Sequence, residues 1–233
     1  NSKIERYNIN SGLTNNHVRS ITTDAWGNVW LGTSGGGLNQ FAGQQFIHLT
    51  TKDGLPDDYT YSVAQDYKGT VWAGTGGKGV VKIDSGKYTV YGRDSGFADI
   101  KVKAIDVSLD GTVWLGTEGE GLAMYHDSSF SWLKVGDGLC GNYIKDIVCW
   151  RKRDVWVASL DGGISHLTRQ KGGYHIQNYR YLTALPSNRI HALYVDAGGV
   201  LWFGTESKGI GIISKGQVTM LLDESQLSYQ NIR

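Results

Sequence analysis

This chain of 233 residues contains few cysteines and prolines, and its net charge is small. Cys140 and Cys149 are its only cysteines, and no CxxC metal or redox spacing joins them. We expect two partly buried thiols, and a disulfide between them stays open. The 23 basic and 22 acidic side chains leave a net charge of +1, which gives no reason to expect a nucleic acid or an anionic membrane as partner.

Long hydrophobic runs are also absent from the sequence. No apolar run approaches the roughly 18–20 residues that cross a bilayer, and no secretion signal opens the chain. We therefore expect no direct membrane contact from this segment. The chain has only 2 prolines but 33 glycines, which is typical of many tight turns between short strands rather than of disorder.

One tetrapeptide, which begins with tryptophan, recurs five times. It occupies residues 30–33, 72–75, 114–117, 156–159 and 202–205. Its tryptophans are spaced by 42, 42, 42 and 46 residues. A period in the low forties is typical of an array of small β-sheets, each of which buries its faces only against its neighbours.

The second repeat shows the pattern of one unit. Runs rich in β-branched and aromatic residues predict strands at 59–65, 70–75, 79–83 and 87–91, with turn residues between them. Both faces of these strands are apolar or small, as a sheet between two neighbours requires. The predicted fold class is therefore all-β: a β-propeller of four-stranded antiparallel blades, with five complete repeats plus partial blades at both ends.

The repeats predict one propeller segment over residues 1–233. The complete repeats span 13–54, 55–96, 97–138, 139–184 and 185–226, and the partial blades span 1–12 and 227–233. Residues 4–7 match a fourth strand, and residues 227–233 match the start of a further repeat. We expect the chain to be a segment of a longer propeller, with the natural blade number left open.

Two stretches carry a family resemblance. Residues 185–193 followed by 196–205, and residues 16–24 followed by 27–33, resemble the two-component regulator propeller repeat. The resemblance implies an extracytoplasmic sensor region of a membrane-bound bacterial regulator, without catalysis, on the periplasmic or extracellular side. It also implies an oligosaccharide or another small ligand, because many members respond to polysaccharide fragments. No cofactor or metal is expected.

Two other functions stay open. Residues 202–206, followed by 210–213, also look like streptogramin lyase, a propeller enzyme. A lyase would need a general acid and base, together with a metal, at one blade junction. His17 and His191 are the nearest candidates for that chemistry. A protein-interaction scaffold is the third functional hypothesis.

Several short motifs are better explained by structure. Residues 32–36 satisfy G-x-S-x-G and residues 74–79 satisfy G-x-G-x-x-G, but both chemistries require a following helix, and a strand is predicted instead. Asp24, Asp66 and Asp196 recur in one turn, where a single carboxylate is too little for calcium. Hydrogen bonds to the backbone of that turn are a sufficient explanation.

Two polar registers at the start of the first strands form the candidate ligand site. One register contains Arg19, Tyr61, Lys103, Lys145 and His191, and the other contains His17, Tyr59, Lys101, Tyr143 and Arg189. Propeller symmetry would gather them around one mouth, where aromatic rings stack on sugars and cations bind hydroxyl or carboxylate groups. Solvated side chains over neighbouring blades are the alternative. The second turns should add Glu118, Glu120, Asp161, Glu206 and Lys208, so the mouth is mixed in charge.

The fourth repeat departs from the pattern. Trp150 replaces the turn aspartate and is followed by Arg151, and four extra residues fall near 169–174. Trp26 occupies a turn on the same side of the first repeat. Tryptophan beside arginine is typical of the centres of protein contacts. Trp150, Arg151 and Trp26 are therefore candidates for binding a partner, with a homodimer as one arrangement and drift within a single repeat as the alternative.

Overall fold

The computed structural model describes residues 4–97, 100–151, 154–181, 184–223 and 225. These residues form twenty strands in five four-stranded antiparallel sheets, and in each sheet the strands lie side by side in chain order. The predicted all-β fold class and the five complete repeats are confirmed. No helix of the described residues is long and apolar enough to cross a membrane. The chain divides into two compact units, residues 1–105 and 106–233.

The first unit contains two complete sheets. The first sheet comprises β1 (Val18–Thr23), β2 (Val29–Thr33), β3 (Leu38–Ala42) and β4 (Gln45–Leu49). The second sheet comprises β5 (Thr60–Gln65), β6 (Val71–Thr75), β7 (Val80–Asp84) and β8 (Lys87–Tyr91). The bounds of these last four strands all lie within one residue of those that turn chemistry predicts for the second repeat.

Strand β9 (Val102–Val107) spans the boundary between the units, and the remaining strands belong to the second unit. The third sheet continues with β10 (Val113–Thr117), β11 (Leu122–His126) and β12 (Ser129–Leu133). The fourth sheet comprises β13 (Ile144–Trp150), β14 (Asp154–Ser159), β15 (Ile164–Gln170) and β16 (Gly173–Tyr179). The fifth comprises β17 (Ile190–Val195), β18 (Leu201–Thr205), β19 (Ile210–Ser214) and β20 (Gln217–Leu222).

One strand prediction is wrong. Residues 4–7 form no strand, because the described residues include no preceding third strand with which such a fourth strand could pair. Tyr7 instead packs its ring against Phe41 and Phe46, at centroid distances of 4.9 and 5.8 Å. The matching prediction for residues 227–233 lies outside the described residues.

Each repeat begins at a buried apolar anchor. These anchors are Leu13, Leu55, Phe97, Leu139 and Leu185. Short 3-10 turns precede the first four anchors, at Ile9–Ser11, Thr51–Asp53, Arg93–Ser95 and Val135–Asp137. Each of these turns ends at a glycine with a left-handed backbone. The turn and the anchor fix the position of the segment that leads into the first strand of the repeat.

The tetrapeptide closes a backbone turn after every second strand. The hydroxyl at its end donates to the carbonyl of a glycine four residues later, and Thr75 does so to Gly79 at 2.8 Å. The corresponding pairs are Thr33 with Gly37, Thr117 with Gly121, Ser159 with Gly163 and Thr205 with Gly209. All five glycines have a positive φ. The same glycine therefore recurs because other residues rarely adopt this backbone.

The recurring aspartates stabilise their own turns, as predicted. Oδ1 of Asp24 accepts hydrogen bonds from the backbone N–H groups of Trp26 and Asn28, at 3.0 and 2.8 Å. Its Oδ2 accepts from Trp30 Nε1 at 2.9 Å, a bond the sequence did not suggest. Asp66 and Asp196 repeat this arrangement with the tryptophans of their own repeats. One carboxylate thus orients both the turn and the indole of the recurring tryptophan.

We expect Asp24→Ala to lower the free energy of unfolding by about 1–3 kcal/mol at pH 7, because several part-buried hydrogen bonds lose their acceptor. Burial opposes ionisation of Asp24, but hydrogen bonds from Asn28 and Trp30 outweigh it and lower the pKa. The contribution is therefore present above the ordinary carboxyl pKa of about 3.9 and is lost as the pH falls further. Urea unfolding at pH 7 and pH 3 measures it.

Asp84→Ala is the control for this prediction. Asp84 lies exposed at the end of β7 and accepts one side-chain hydrogen bond, from Ser85. We expect it to change the free energy of unfolding by less than about 0.5 kcal/mol. Equal losses in the two variants would show that the turn aspartate has no special part in the repeat.

Candidate ligand-binding site

Four members of the first polar register lie on β-bulges. The pairing of the first and second strands shifts at Arg19, Tyr61, Lys145 and His191. The preceding residues Thr60, Ile144 and Ile190 are fully buried. A bulge places an extra residue in one strand and redirects its side chain. The sequence pattern identified this register but did not indicate the bulges that orient it.

In the first unit, Tyr61 lies between two cations. Lys103 Nζ is 3.5 Å from the centroid of the Tyr61 ring, and Arg19 Cζ is 6.0 Å from it. Arg19 Nε also donates to the hydroxyl of Ser34 in the second turn. Cation–π contacts of this kind hold the charged side chains in place over the ring. The three predicted residues are therefore brought together.

Tyr59 and Tyr143, of the second register, take the same position in their own units. Each ring lies over a glycine of the preceding repeat's second turn: a Cβ built on Gly35 would be 3.6 Å from Tyr59, and one on Gly119 would be 3.6 Å from Tyr143. The two tyrosines remain 52% and 48% exposed. They present aromatic surface to solvent beside the bulges. His17 and Lys101 of this register are also exposed.

In the second unit, an ion pair lies beside His191. Arg189 donates through Nε to Glu206 Oε2 and through a terminal nitrogen to Oε1 at 3.0 Å. Glu206 Oε1 is 3.7 Å from His191 Nε2. Burial lowers the pKa of His191, and the charge of Lys145 lowers it further. Lys145, His191 and Arg189 are thus neighbours here, and Glu206 completes the group.

Other acidic side chains of the second turns have structural partners. Asp161 accepts the backbone N–H groups of Asn142 and Tyr143, at 3.1 and 3.2 Å. Glu120 forms an ion pair with Lys134. These contacts neutralise part of the acidic charge that the sequence placed at this edge. The G-x-S-x-G and G-x-G-x-x-G segments lead into β3 and β7, so neither has the helix that its chemistry requires.

Sequence reasoning missed two half-buried carboxylates in the second unit. Asp106 accepts the N–H of Cys149 at 2.7 Å, and Asp146 accepts that of Leu193 at 2.7 Å. Each joins a first strand to the first strand of the following repeat. Burial raises the pKa of both carboxyls, that of Asp146 to about 6. An aspartate inside an apolar strand is the signal that could have identified them.

The two cysteines are free thiols. Cys140 is buried, and burial raises the pKa of both thiols. They are therefore protonated at neutral pH. Among the residues that the structure describes, no group of three or more His, Cys, Asp or Glu side chains could hold a metal ion.

The candidate partner residues lie mainly against their own chain. Trp150 packs on the hydrophobic core of the second unit, with its ring against Gly199. Arg151 lies over that ring, 5.5 Å from the centroid. Trp26 lies against Gly69 in the same manner but is 71% exposed. Partner binding by these residues stays a prediction.

The four extra residues of the fourth repeat lengthen one hairpin. Strands β15 and β16 each have seven residues, and their tips carry Arg169 and Tyr174. Arg169 donates to Asp110 at 3.1 Å and to the Tyr174 hydroxyl at 3.0 Å. The hairpin thereby contacts the third repeat, and this packing accounts for the insertion.

These four-stranded sheets, most of which have a β-bulge at the start of the first strand, define a β-propeller. The family model described as two component regulator propeller matches residues 12–35, 54–77 and 184–207. The resemblance found in the sequence is confirmed in these three segments. None of the curated proteins compared with the chain matches it.

Solved structures share the fold. The extracellular domain of the hybrid two component system BT3049 from B. thetaiotaomicron is 22% identical, with a TM-score of 0.77 over 92% of this chain and 31% of its own. The corresponding domain of BT4673 from the same organism is 18% identical, with a TM-score of 0.57 over 92% and 36%. This chain thus spans about a third of either protein.

An enzyme is also similar in structure. Virginiamycin B lyase from Staphylococcus aureus is 17% identical, with a TM-score of 0.69 over 89% of this chain and 71% of its own. Identities at this level show the shared fold alone. The choice between a sensor and an enzyme therefore depends on the chemistry of the site.

Proposed function

We propose that this chain is the ligand-sensing propeller of an extracytoplasmic receptor in a membrane-bound two-component regulator, and that it binds a carbohydrate-type ligand. The observation that carries the proposal is the set of bulged polar residues beside exposed tyrosine rings. Its signal would be a change in the arrangement of blades or of a dimer. The repeat family and the two extracellular domains of similar fold support the sensor role.

The side chains of the two polar registers have the chemistry that sugars require. Tyr59 and Tyr143 expose ring faces on which the apolar face of a sugar can stack. Lys103 and Lys145 supply charged donors for hydroxyl or carboxylate oxygens. A few placed polar groups next to aromatic surface are typical of small-ligand sites.

The lyase is the second candidate, supported by the similar fold of virginiamycin B lyase. A reaction of that kind would use His191 as general base beside Glu206. Turnover that requires a divalent metal, measured with quinupristin, the compound present in the structure of an inactive virginiamycin B lyase, would favour this function. Turnover lost in His191→Ala would assign the base.

We expect one or more glycans from a panel of plant, algal and host oligosaccharides to raise the thermal stability of the protein. A ligand at 100 times its dissociation constant adds about 2.7 kcal/mol to the stability of the folded state. Lys103→Ala and Lys145→Ala should each reduce this gain, because each removes a charged donor of the first polar register. Differential scanning fluorimetry, with and without divalent metal, measures the shift.

Lys87→Ala is the matched control, because Lys87 is an exposed lysine at the start of the outer strand β8. It should bind the same glycan as the unmodified protein. A panel without any stabilising glycan, tested on folded protein, would contradict the proposal. Binding that depends on Trp150 and not on the lysines would favour a protein-interaction scaffold.

A further inference from the structure

His191 is a nearly buried imidazole without hydrogen-bond partners. Its side chain is 11% exposed, and neither Nδ1 nor Nε2 has a partner. The nearest carboxylate oxygen, Oε1 of Glu206, lies 3.7 Å from Nε2, which is beyond hydrogen-bond distance. Buried polar groups are normally satisfied, and one that is not calls for a ligand or another functional explanation.

The charges around this imidazole sum to a positive value. Lys145 lies on the bulge of β13, and its charge acts on His191 from that strand. Arg189, two residues before His191, is paired with Glu206, so these two charges largely cancel. Lys145 is left as the uncancelled charge among the three groups that act on the ring. A positive site with spare donors favours an anion.

We propose that the side chains of His191 and Lys145, which together we call the His191 site, bind an acidic oxygen group of the ligand, a carboxylate or a sulfate. This inference rests on the proposed function and names the chemical class of the ligand. The oxyanion would accept a hydrogen bond from the His191 ring and another from Lys145 Nζ. Tyr143, which is two residues from Lys145, offers the exposed ring on which the attached sugar would stack.

Binding of an anion at the His191 site should be linked to proton uptake. Burial and the charge of Lys145 lower the pKa of the free imidazole, so His191 is neutral near pH 7. A bound anion stabilises the imidazolium and raises that pKa. Affinity is therefore highest at low pH and falls as the pH rises through the pKa of the bound state. A rise of one pKa unit corresponds to a tenfold change in affinity across this window.

The test is an NMR titration of the histidine rings in the full chain with sodium glucuronate, glucose 6-sulfate and glucose. We expect glucuronate to raise the pKa of His191 by about one unit and glucose to leave it unchanged. The arm with glucose 6-sulfate separates a carboxylate site from a general oxyanion site. His175, exposed in the same unit, is the internal reference and should not respond.

Two variants test whether the shift in the pKa of His191 arises at the His191 site. Lys145→Met should raise the pKa of free His191 and reduce the shift that glucuronate causes. Lys171→Met removes an exposed lysine from the β15–β16 turn and should change neither value. Both variants alter solvent-accessible side chains, so the folded protein remains available for measurement.

The possible failures are distinguishable. Equal shifts with glucose and glucuronate would overturn the anion inference and leave a sugar site in place. An unchanged His191 pKa, while a neutral glycan stabilises the protein through Lys103, would also overturn the inference and leave the proposed function standing. An unchanged His191 pKa together with no stabilising glycan would overturn both.

Discussion

Replacing Gly79 by alanine should lower the free energy of unfolding by about 2–5 kcal/mol. The backbone of Gly79 has a φ of +84°, which costs a residue with a Cβ about 1–2 kcal/mol. The new methyl group would also overlap the carbonyl oxygen of Tyr91. Forcing apart two packed backbone segments adds about 1–3 kcal/mol. The midpoint of urea unfolding, with its slope, measures the loss.

Gly86→Ala separates these two causes. Gly86 has a φ of +78°, but a Cβ built there meets no atom within 4 Å. We expect this variant to lose only the backbone contribution, about 1–2 kcal/mol. Equal losses in the two variants would show that the close approach of Gly79 to β8 contributes nothing. Such a result would contradict our account of the recurring glycine.

The second large effect is a pH dependence that arises from Asp146. Burial raises the pKa of its carboxyl to about 6, and the nearby Asp106 adds to the rise. Hydrogen bonds from the N–H groups of Leu193 and Ile147 oppose the rise without cancelling it. The unfolded chain has the ordinary value of about 3.9. Between these two values the folded state holds a proton that the unfolded state has released.

The free energy of unfolding contributed by this group therefore falls as the pH rises from about 4 to about 6. The total change is about 3 kcal/mol, because each pKa unit corresponds to 1.36 kcal/mol. Asp146→Asn is neutral throughout this range. The stability of the unmodified protein minus that of Asp146→Asn should thus decrease with pH. Urea unfolding at pH 4, 5, 6 and 7 gives this difference.

Asp110→Asn is a control of opposite sign. Burial opposes ionisation of Asp110, but hydrogen bonds from Ser108 and Thr112 and the charge of Arg169 lower its pKa. The corresponding difference should therefore rise as the pH increases through the acid range. If the difference for Asp146 stays constant or rises with pH, its carboxylate is well solvated or well paired. That result would contradict a raised pKa for Asp146.

Much of the fold was predictable from local chemistry. The strands of the second repeat follow from β-branched runs bounded by glycine and aspartate, and short strands separated by turns need little long-range information. The turn aspartates also behaved as predicted, because Asp24 bonds to the backbone within four residues of itself. The strand at residues 4–7 failed because pairing requires a partner strand, which local pattern does not supply.

The candidate site was only partly predictable. The repeat period aligned Tyr61 with Lys103, and the structure brings them into contact. It did not indicate that Glu206 pairs with Arg189, because charge pairing depends on side-chain reach across a turn. The hydrogen bond of Asp146 was missed for a similar reason: its partner, the N–H of Leu193, lies 47 residues away along the chain.

The sequence by itself determined the all-β architecture, the five repeats and the positions of the tight glycine turns, because each follows from interactions within one period. The tertiary structure alone decided which side chains are redirected by bulges, which charges are cancelled, and that the ring nitrogens of His191 are buried without a hydrogen-bond partner. Those properties depend on how one repeat packs against the next. Packing between distant residues sets the solvation and the neighbours of a side chain, and these determine its chemistry.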